Sequence, residues 1–168
     1  MDRERSHIES YIESSTHRFI LFDEPNQDNY MNFVEIMKKN NCVNLVRACE
    51  INYDANLFTQ QGITVHEMAF RDGGIPSPEI IDKWLKVLKQ SYTQNNEKPD
   101  IKTTIAIHCV AGLGRTPVLV TIALIEDGGK PLQSIGLIRD IRKGAINKPQ
   151  LEFLKKYKPT AKKSCIIM

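Results

Sequence analysis

Between the apolar run Ile105-Ala106-Ile107 and the apolar stretch Pro117-Val118-Leu119-Val120 lies the seven-residue segment Cys109-Val110-Ala111-Gly112-Leu113-Gly114-Arg115. The first run reads as a short buried strand and the second as a helix, so the segment is a strand that passes to a helix through a glycine-bearing loop. That unit belongs to α/β architectures, in which helices cover a sheet. It also limits what the loop can do. Two glycines let the backbone curl with its N–H groups inward, and such a nest at a helix N-terminus is an anion site suited to phosphate. Pro117 is tolerated because the amides of a first helical turn lack intrahelical partners in any case.

The remaining patterns fit the same class. Residues 18–22 and 42–49 read as strands, with Val43, Leu45 and Val46 marking a buried one, and residues 30–39 between them place Phe33, Ile36 and Met37 at helical spacing. Residues 63–70 read as a strand entering the turn-rich stretch Arg71-Asp72-Gly73-Gly74-Ile75-Pro76. Ser77-Pro78-Glu79 supplies an N-cap, a proline at the first helical position and a first-turn acid ahead of Ile80, Ile81, Trp84, Leu85 and Leu88. A strand is expected over 103–108 and helices over 116–126, 132–143 and 149–157, with Gly128-Gly129 ending the first of these. The start MDRERSHIES is polar throughout. One domain is expected over residues 1–157, with a flexible basic tail over 158–168.

The amides and helix dipole that bind phosphate also stabilise a thiolate at Cys109, which makes it the expected nucleophile. Arg115 closes the loop with a planar fork matched to two phosphoryl oxygens, and Val110, Ala111, Gly112, Leu113 and Gly114 supply the amides. His108 is placed to orient the backbone around the sulfur. Departure of the leaving oxygen needs an acid, and Asp72, beside Gly73 and Gly74 in a loop, is the candidate. Thr116 follows the arginine, where its hydroxyl can bond the sulfur and help it leave a phosphoenzyme. The structural alternatives are a buried cysteine in an ordinary turn, an Asp that builds a turn, and a helix-start Thr.

At these residues the sequence resembles the phosphatase of regenerating liver (PRL) family, in the dual-specificity branch of the protein tyrosine phosphatases. Val46 to Glu50 (VRACE), Tyr53-Asp54, AFRDGG around Asp72, HCVAGLGR followed by PVLV, ALIE from Ala123, KGAIN from Lys143 and the C-terminus stand in the family's order, over roughly residues 17–168. The resemblance implies an α/β protein tyrosine phosphatase fold with a central, mostly parallel sheet flanked by helices, with no cofactor. It implies Cys109 as nucleophile, Arg115 as phosphate binder, Asp72 as general acid, and a reversible redox disulfide between Cys49 and Cys109. Read without the family, Cys49 is an ordinary core thiol. Two departures stand out. Thr116 replaces the alanine usual in animal members, which turn over slowly, so faster phosphoenzyme hydrolysis is expected. Arg71 stands where a second acid is common, which leaves Asp72 as the acid and adds positive charge near the mouth.

The net charge of +3 is only mildly basic, and no basic stripe interleaved with aromatics points to nucleic acid. The cysteines Cys42, Cys49, Cys109 and Cys165 form no C-x-x-C pair and show no zinc spacing, and no secretory leader is evident, so a reducing compartment without a bound metal is expected. Cys165-Ile166-Ile167-Met168 fits a C-a-a-X box with a farnesyl preference, and carboxyl methylation accompanies such boxes. Lys155, Lys156, Lys158, Lys162 and Lys163 lie upstream. A prenyl group on Cys165 plus these charges suits an anionic membrane surface, hence the cytoplasmic face of the plasma membrane or endosomes, with a cytoplasmic pool. Many family members carry two adjacent cysteines there, whereas Ser164 precedes a single one. No lysine lies in the phosphate loop, which favours phosphoprotein over phosphoinositide. The resemblance also implies a rival reading, a binding module for a cyclin M-type magnesium transporter, whose acidic side chain enters the pocket.

Overall fold

The computed structural model describes residues 8–94 and 101–160. Its elements run β1 (Glu9–Glu13), β2 (His17–Phe22), α1 (Tyr30–Lys39), β3 (Asn44–Arg47), α2 (Asn56–Thr59), β4 (Thr64–Glu67), α3 (Pro78–Gln94), β5 (Thr103–His108), α4 (Arg115–Glu126), α5 (Pro131–Ile141) and α6 (Lys148–Lys156). The five-stranded sheet has the order β1-β2-β5-β3-β4. β2, β5, β3 and β4 are parallel, and β1 joins antiparallel at the edge with Tyr11 opposite Ile20.

Both faces of the central strands are covered, which is why they read as unbroken apolar runs. Phe19, Leu21, Val46, Ile105 and Ile107 face α3 through α6, packing with Trp84, Leu119 and Ile138. Their alternates Ile20, Phe22, Leu45 and Ala106 face α1 and α2, packing with Phe33, Met37 and Phe58. Helix α4 is buried from Arg115 to Ile125 and forms the middle of the larger core. The Trp84 indole N–H donates to Leu119 O at 2.7 Å, so α3 is locked to α4 by a satisfied polar contact inside apolar packing.

Several boundaries differ from the sequence reading for local reasons. β3 is shorter than the 42–49 run because Cys42 N–H still bonds Met37 O as α1 unwinds. Past its end, Ala48 N–H bonds His108 O. α3 begins where expected: Ser77 Oγ accepts from Ile80 N–H at 3.3 Å and Pro78 opens the helix. β1 and α2 were not anticipated. β1 is a half-exposed edge strand whose Glu9, Ser10 and Glu13 hide the alternation, and α2 is a single turn. Residues 158–160 are tied back: Thr160 N–H and the Tyr157 hydroxyl both donate to Glu126 Oε1, at 3.0 and 2.5 Å. No helix among the described residues is long and apolar enough to cross a membrane.

Candidate active site

The carboxyl edge of a parallel sheet is where α/β proteins place ligands, because loops diverge there and helix N-termini converge. β5, β3 and β4 deliver the phosphate loop, Cys49-Glu50 and the Asp72 loop to that one edge. The sequence-selected residues Cys109, Arg115 and Asp72 therefore meet.

Cys109 is 3% exposed, and the Gly112 N–H points at its sulfur from 3.3 Å, one amide of the expected nest. Gly112 has φ +68°, and a Cβ there would come within 3.1 Å of the Arg142 guanidinium, so the loop needs glycine for both conformation and space. Arg142 in turn donates to Leu21 O at 2.7 Å and to Asp23 Oδ1 at 2.8 Å, fixing the loop's floor to the end of β2. On the other side Leu113 O accepts from Ile146 N–H at 2.8 Å. Ile146 sits at φ +66°, a conformation costing a β-branched residue on the order of 1–3 kcal/mol, and the Arg139 fork holds it through Ala145 O and Ile146 O. A strained residue thus sits where this segment docks on the phosphate loop.

Arg115 is 2% exposed, yet its charge faces the opening. Its Nη1 donates to Glu50 Oε2 at 3.1 Å, Glu50 Oε1 at 3.3 Å and Phe70 O at 3.3 Å, and its Nε lies 3.7 Å from Asp72 Oδ1. Glu50's own backbone N–H and the Arg115 guanidinium hold the Glu50 carboxyl below the usual range. Two buried polar atoms here lack any hydrogen-bond partner: Arg115 Nε and Thr116 Oγ1. Leaving a buried hydroxyl unpaired costs about 1–3 kcal/mol, and such an atom in the helix turn that follows the phosphate loop needs an explanation. Asp72 itself is exposed. Val110 and Leu113 are exposed on the outer side, where they line a groove of about 670 Å³ with Asp23, Glu24, Arg142 and Lys143. The mouth is therefore of mixed charge on this side.

Behind the sulfur runs a polar chain that residue types did not reveal. Arg47, 1% exposed, donates to Tyr53 O at 2.8 Å and to both oxygens of Glu67, and lies over the Tyr53 ring. The Tyr53 hydroxyl is 2.6 Å from His108 Nε2, and His108 Nδ1 is 3.2 Å from Cys109 O. A carbonyl only accepts, so Nδ1 carries the proton and Nε2 accepts from Tyr53. Burial pushes His108 down to about 4, which keeps the imidazole neutral. Its role is to hold the Cys109 carbonyl and so the start of the loop.

Cys49 and Cys109 are free thiols on adjacent strand ends, and Cys49 Sγ lies 4.0 Å from His108 Nδ1. Burial pushes the Cys49 thiol up to about 11, against the pull of Arg115. Cys165 lies outside the described residues.

The family model described as a polymorphic toxin system DSP-PTPase phosphatase matches residues 22–129. Protein tyrosine phosphatase type IVA B of Dictyostelium discoideum is 57% identical over 168 residues, all of both chains. The PRL-1 phosphatase of Drosophila melanogaster is 46% identical over 90% of this chain and 83% of its own. A solved protein tyrosine phosphatase from Leishmania major superposes with a TM-score of 0.80 at 37% identity, covering 89% of this chain and 98% of that one.

Proposed function

The chain belongs to the PRL family of protein tyrosine phosphatases, and from that premise we propose that it hydrolyses phosphotyrosine, and phosphoserine or phosphothreonine to a lesser degree, on proteins through a cysteinyl phosphate on Cys109. The observation that carries this reading is the convergence of Cys109, the buried Arg115 fork and Asp72 at one sheet edge. The thiolate attacks phosphorus while Asp72 protonates the departing oxygen. Water then attacks the phosphoenzyme, and the Thr116 hydroxyl, unpartnered in the resting site, bonds the leaving sulfur. Arg115 holds two equatorial oxygens throughout, exchanging Glu50 for phosphate. Rates on phosphopeptide and phosphoinositide panels, with Asp72→Ala used to retain bound substrates, test this. Preferential turnover and retention of phosphoproteins is expected, and preference for inositides overturns it.

Redox control follows from Cys49. Peroxide converts the Cys109 thiolate to a sulfenic acid, and the Cys49 thiol condenses with it to a disulfide with release of water. The placement of Cys49 on the neighbouring strand end supports this. Loss of peroxide reversibility in Cys49→Ser is expected, and full recovery of that variant by thiol counts against the switch. A farnesyl group on Cys165 with the exposed Lys156 and Lys158 gives peripheral attachment to anionic membranes. Cys165→Ser is expected to become soluble, and retention at membranes contradicts the anchor.

A second reading is favoured by Glu50. A carboxylate already occupies the Arg115 fork, so an acidic side chain of a cyclin M-type magnesium transporter can take the same place, making turnover incidental. Competition between such a segment and orthovanadate for the pocket supports it, and simultaneous binding excludes it.

A further inference from the structure

The loop that carries Asp72 is fastened to the first turn of α6. Asn147 caps that helix by accepting from Gln150 N–H at 2.9 Å, and Gln150 Oε1 accepts from Asn147 N–H at 3.1 Å. This reciprocal box uses only the oxygens of the two amides. Both nitrogens are spent on the Asp72 loop: Asn147 Nδ2 donates to Gly73 O at 2.9 Å and Gln150 Nε2 to Gly74 O at 3.0 Å. An Asp and a Glu would supply the same capping oxygens but carry no donors, so capping alone leaves the choice of two amides unexplained.

The same amides touch the phosphate loop. Gln150 is fully buried, and a Cβ on Gly114 would lie 3.3 Å from its Nε2. A Cβ on Gly73 would lie equally close to Asn147 Nδ2. Glycine at both positions lets two loops approach one helix end, and the segment just before it, Ile146, is bonded to Leu113 O. One rigid helix end therefore sets the distance between the loop of Cys109 and the loop of Asp72.

We propose that Asn147 and Gln150 are positioning residues that hold the Asp72 loop at the mouth of the phosphate loop through the Gly73 and Gly74 carbonyls. The proposal rests on Asp72 acting as general acid. Two carbonyls in succession, each held by a donor fixed on the same helical turn, leave the backbone after Asp72 little freedom, and proton delivery depends on that placement.

The test uses Asn147→Ser, whose short hydroxyl keeps a capping oxygen and loses the Nδ2 that reaches Gly73 O, and Gln150→Met, which keeps volume and loses the Nε2 donor. Each is made alone and with Asp72→Ala, and kcat/KM is measured on phenyl phosphate, a poor leaving group, and p-nitrophenyl phosphate, a good one. A loss of roughly tenfold on the poor leaving group, about twofold on the good one, and none in the Asp72→Ala background is expected, because only the acid's share of the rate is at stake. Equal losses with both substrates or in both backgrounds overturn the proposal. Hydrogen exchange at Gly74 N–H, which bonds Arg71 O at 2.9 Å, reads the tether without reference to catalysis. Roughly tenfold faster exchange in Asn147→Ser is expected, since a lost bond opens the loop. Unchanged exchange overturns the tether. If Asp72→Ala alone leaves phenyl phosphate turnover intact, the acid assignment fails, and with it the proposal's catalytic half, while exchange still decides the tether.

Discussion

Lowering the pH should loosen this fold through one residue. His108 is fully buried with Nε2 accepting from the Tyr53 hydroxyl and Nδ1–H donating to Cys109 O, and burial depresses it from 6.5 to about 4. The unfolded chain takes up the proton near pH 6.5 and the folded one only near 4. Stability from the neutral imidazole is therefore complete above 6.5 and lost as the pH falls toward 4. At about 1.4 kcal/mol per unit, the gap amounts to about 3 kcal/mol, most of it gone by pH 4.5. Protonation also turns Nε2 into a donor facing the Tyr53 hydroxyl, so the chain from Arg47 to Cys109 loses its direction. Urea unfolding at pH 7 and pH 4.5, in wild type and His108→Gln, isolates the effect because His17 and His66 titrate in both proteins. The wild type should lose roughly 2–3 kcal/mol more than the variant between these pH values. Parallel losses would refute the neutral, hydrogen-bonded His108 on which the description of the loop's foundation depends.

Glu50→Gln should tighten phosphate or orthovanadate inhibition about threefold at low salt, because a charged competitor leaves the Arg115 fork, and the gain should fade as ionic strength rises. An inhibition constant that does not move counts against Glu50 as occupant. Thr116→Val keeps the shape and removes the unpartnered hydroxyl, so unfolding should become harder by about 1 kcal/mol while steady-state turnover slows and a burst appears. Unchanged steady-state rates would deny the hydroxyl a part in releasing the sulfur. Trp84→Ala removes a fully buried ring and leaves Leu119 O without its donor, for a loss of roughly 3–5 kcal/mol by urea titration. A loss under about 1 kcal/mol would mean that α3 does not depend on this contact for its place on α4.

The strand, loop and helix around Cys109 were legible because they are local. Cys109, two glycines, Arg115 and the apolar runs around them are contiguous, so strand, nest and helix follow from spacing alone, and the N-cap at Ser77 is likewise written in three adjacent residues. The partners that hold the loop are not contiguous. Glu50, Tyr53 and Arg47 reach it because β3 lies beside β5, and Arg142 because the residue that ends α5 donates to Leu21 O in β2; their residue types alone announce nothing. The Asn147–Gln150 spacing is a readable capping signal, yet its second pair of bonds appears only once the Asp72 loop is folded against it. β1 was hidden because an edge strand needs little apolar surface, and its Glu9 and Glu13 read as solvent-facing charge.

The proposed reaction turns on a covalent phosphoenzyme at Cys109 formed with help from Asp72. Rapid acid quench of the protein mixed with an aryl phosphate, followed by mass spectrometry of its peptides, measures this directly. One phosphoryl group should be found on the peptide containing Cys109, absent in Cys109→Ser and, for phenyl phosphate, formed far more slowly in Asp72→Ala. Turnover that continues in Cys109→Ser, or a phosphoryl group on any other residue, would contradict it.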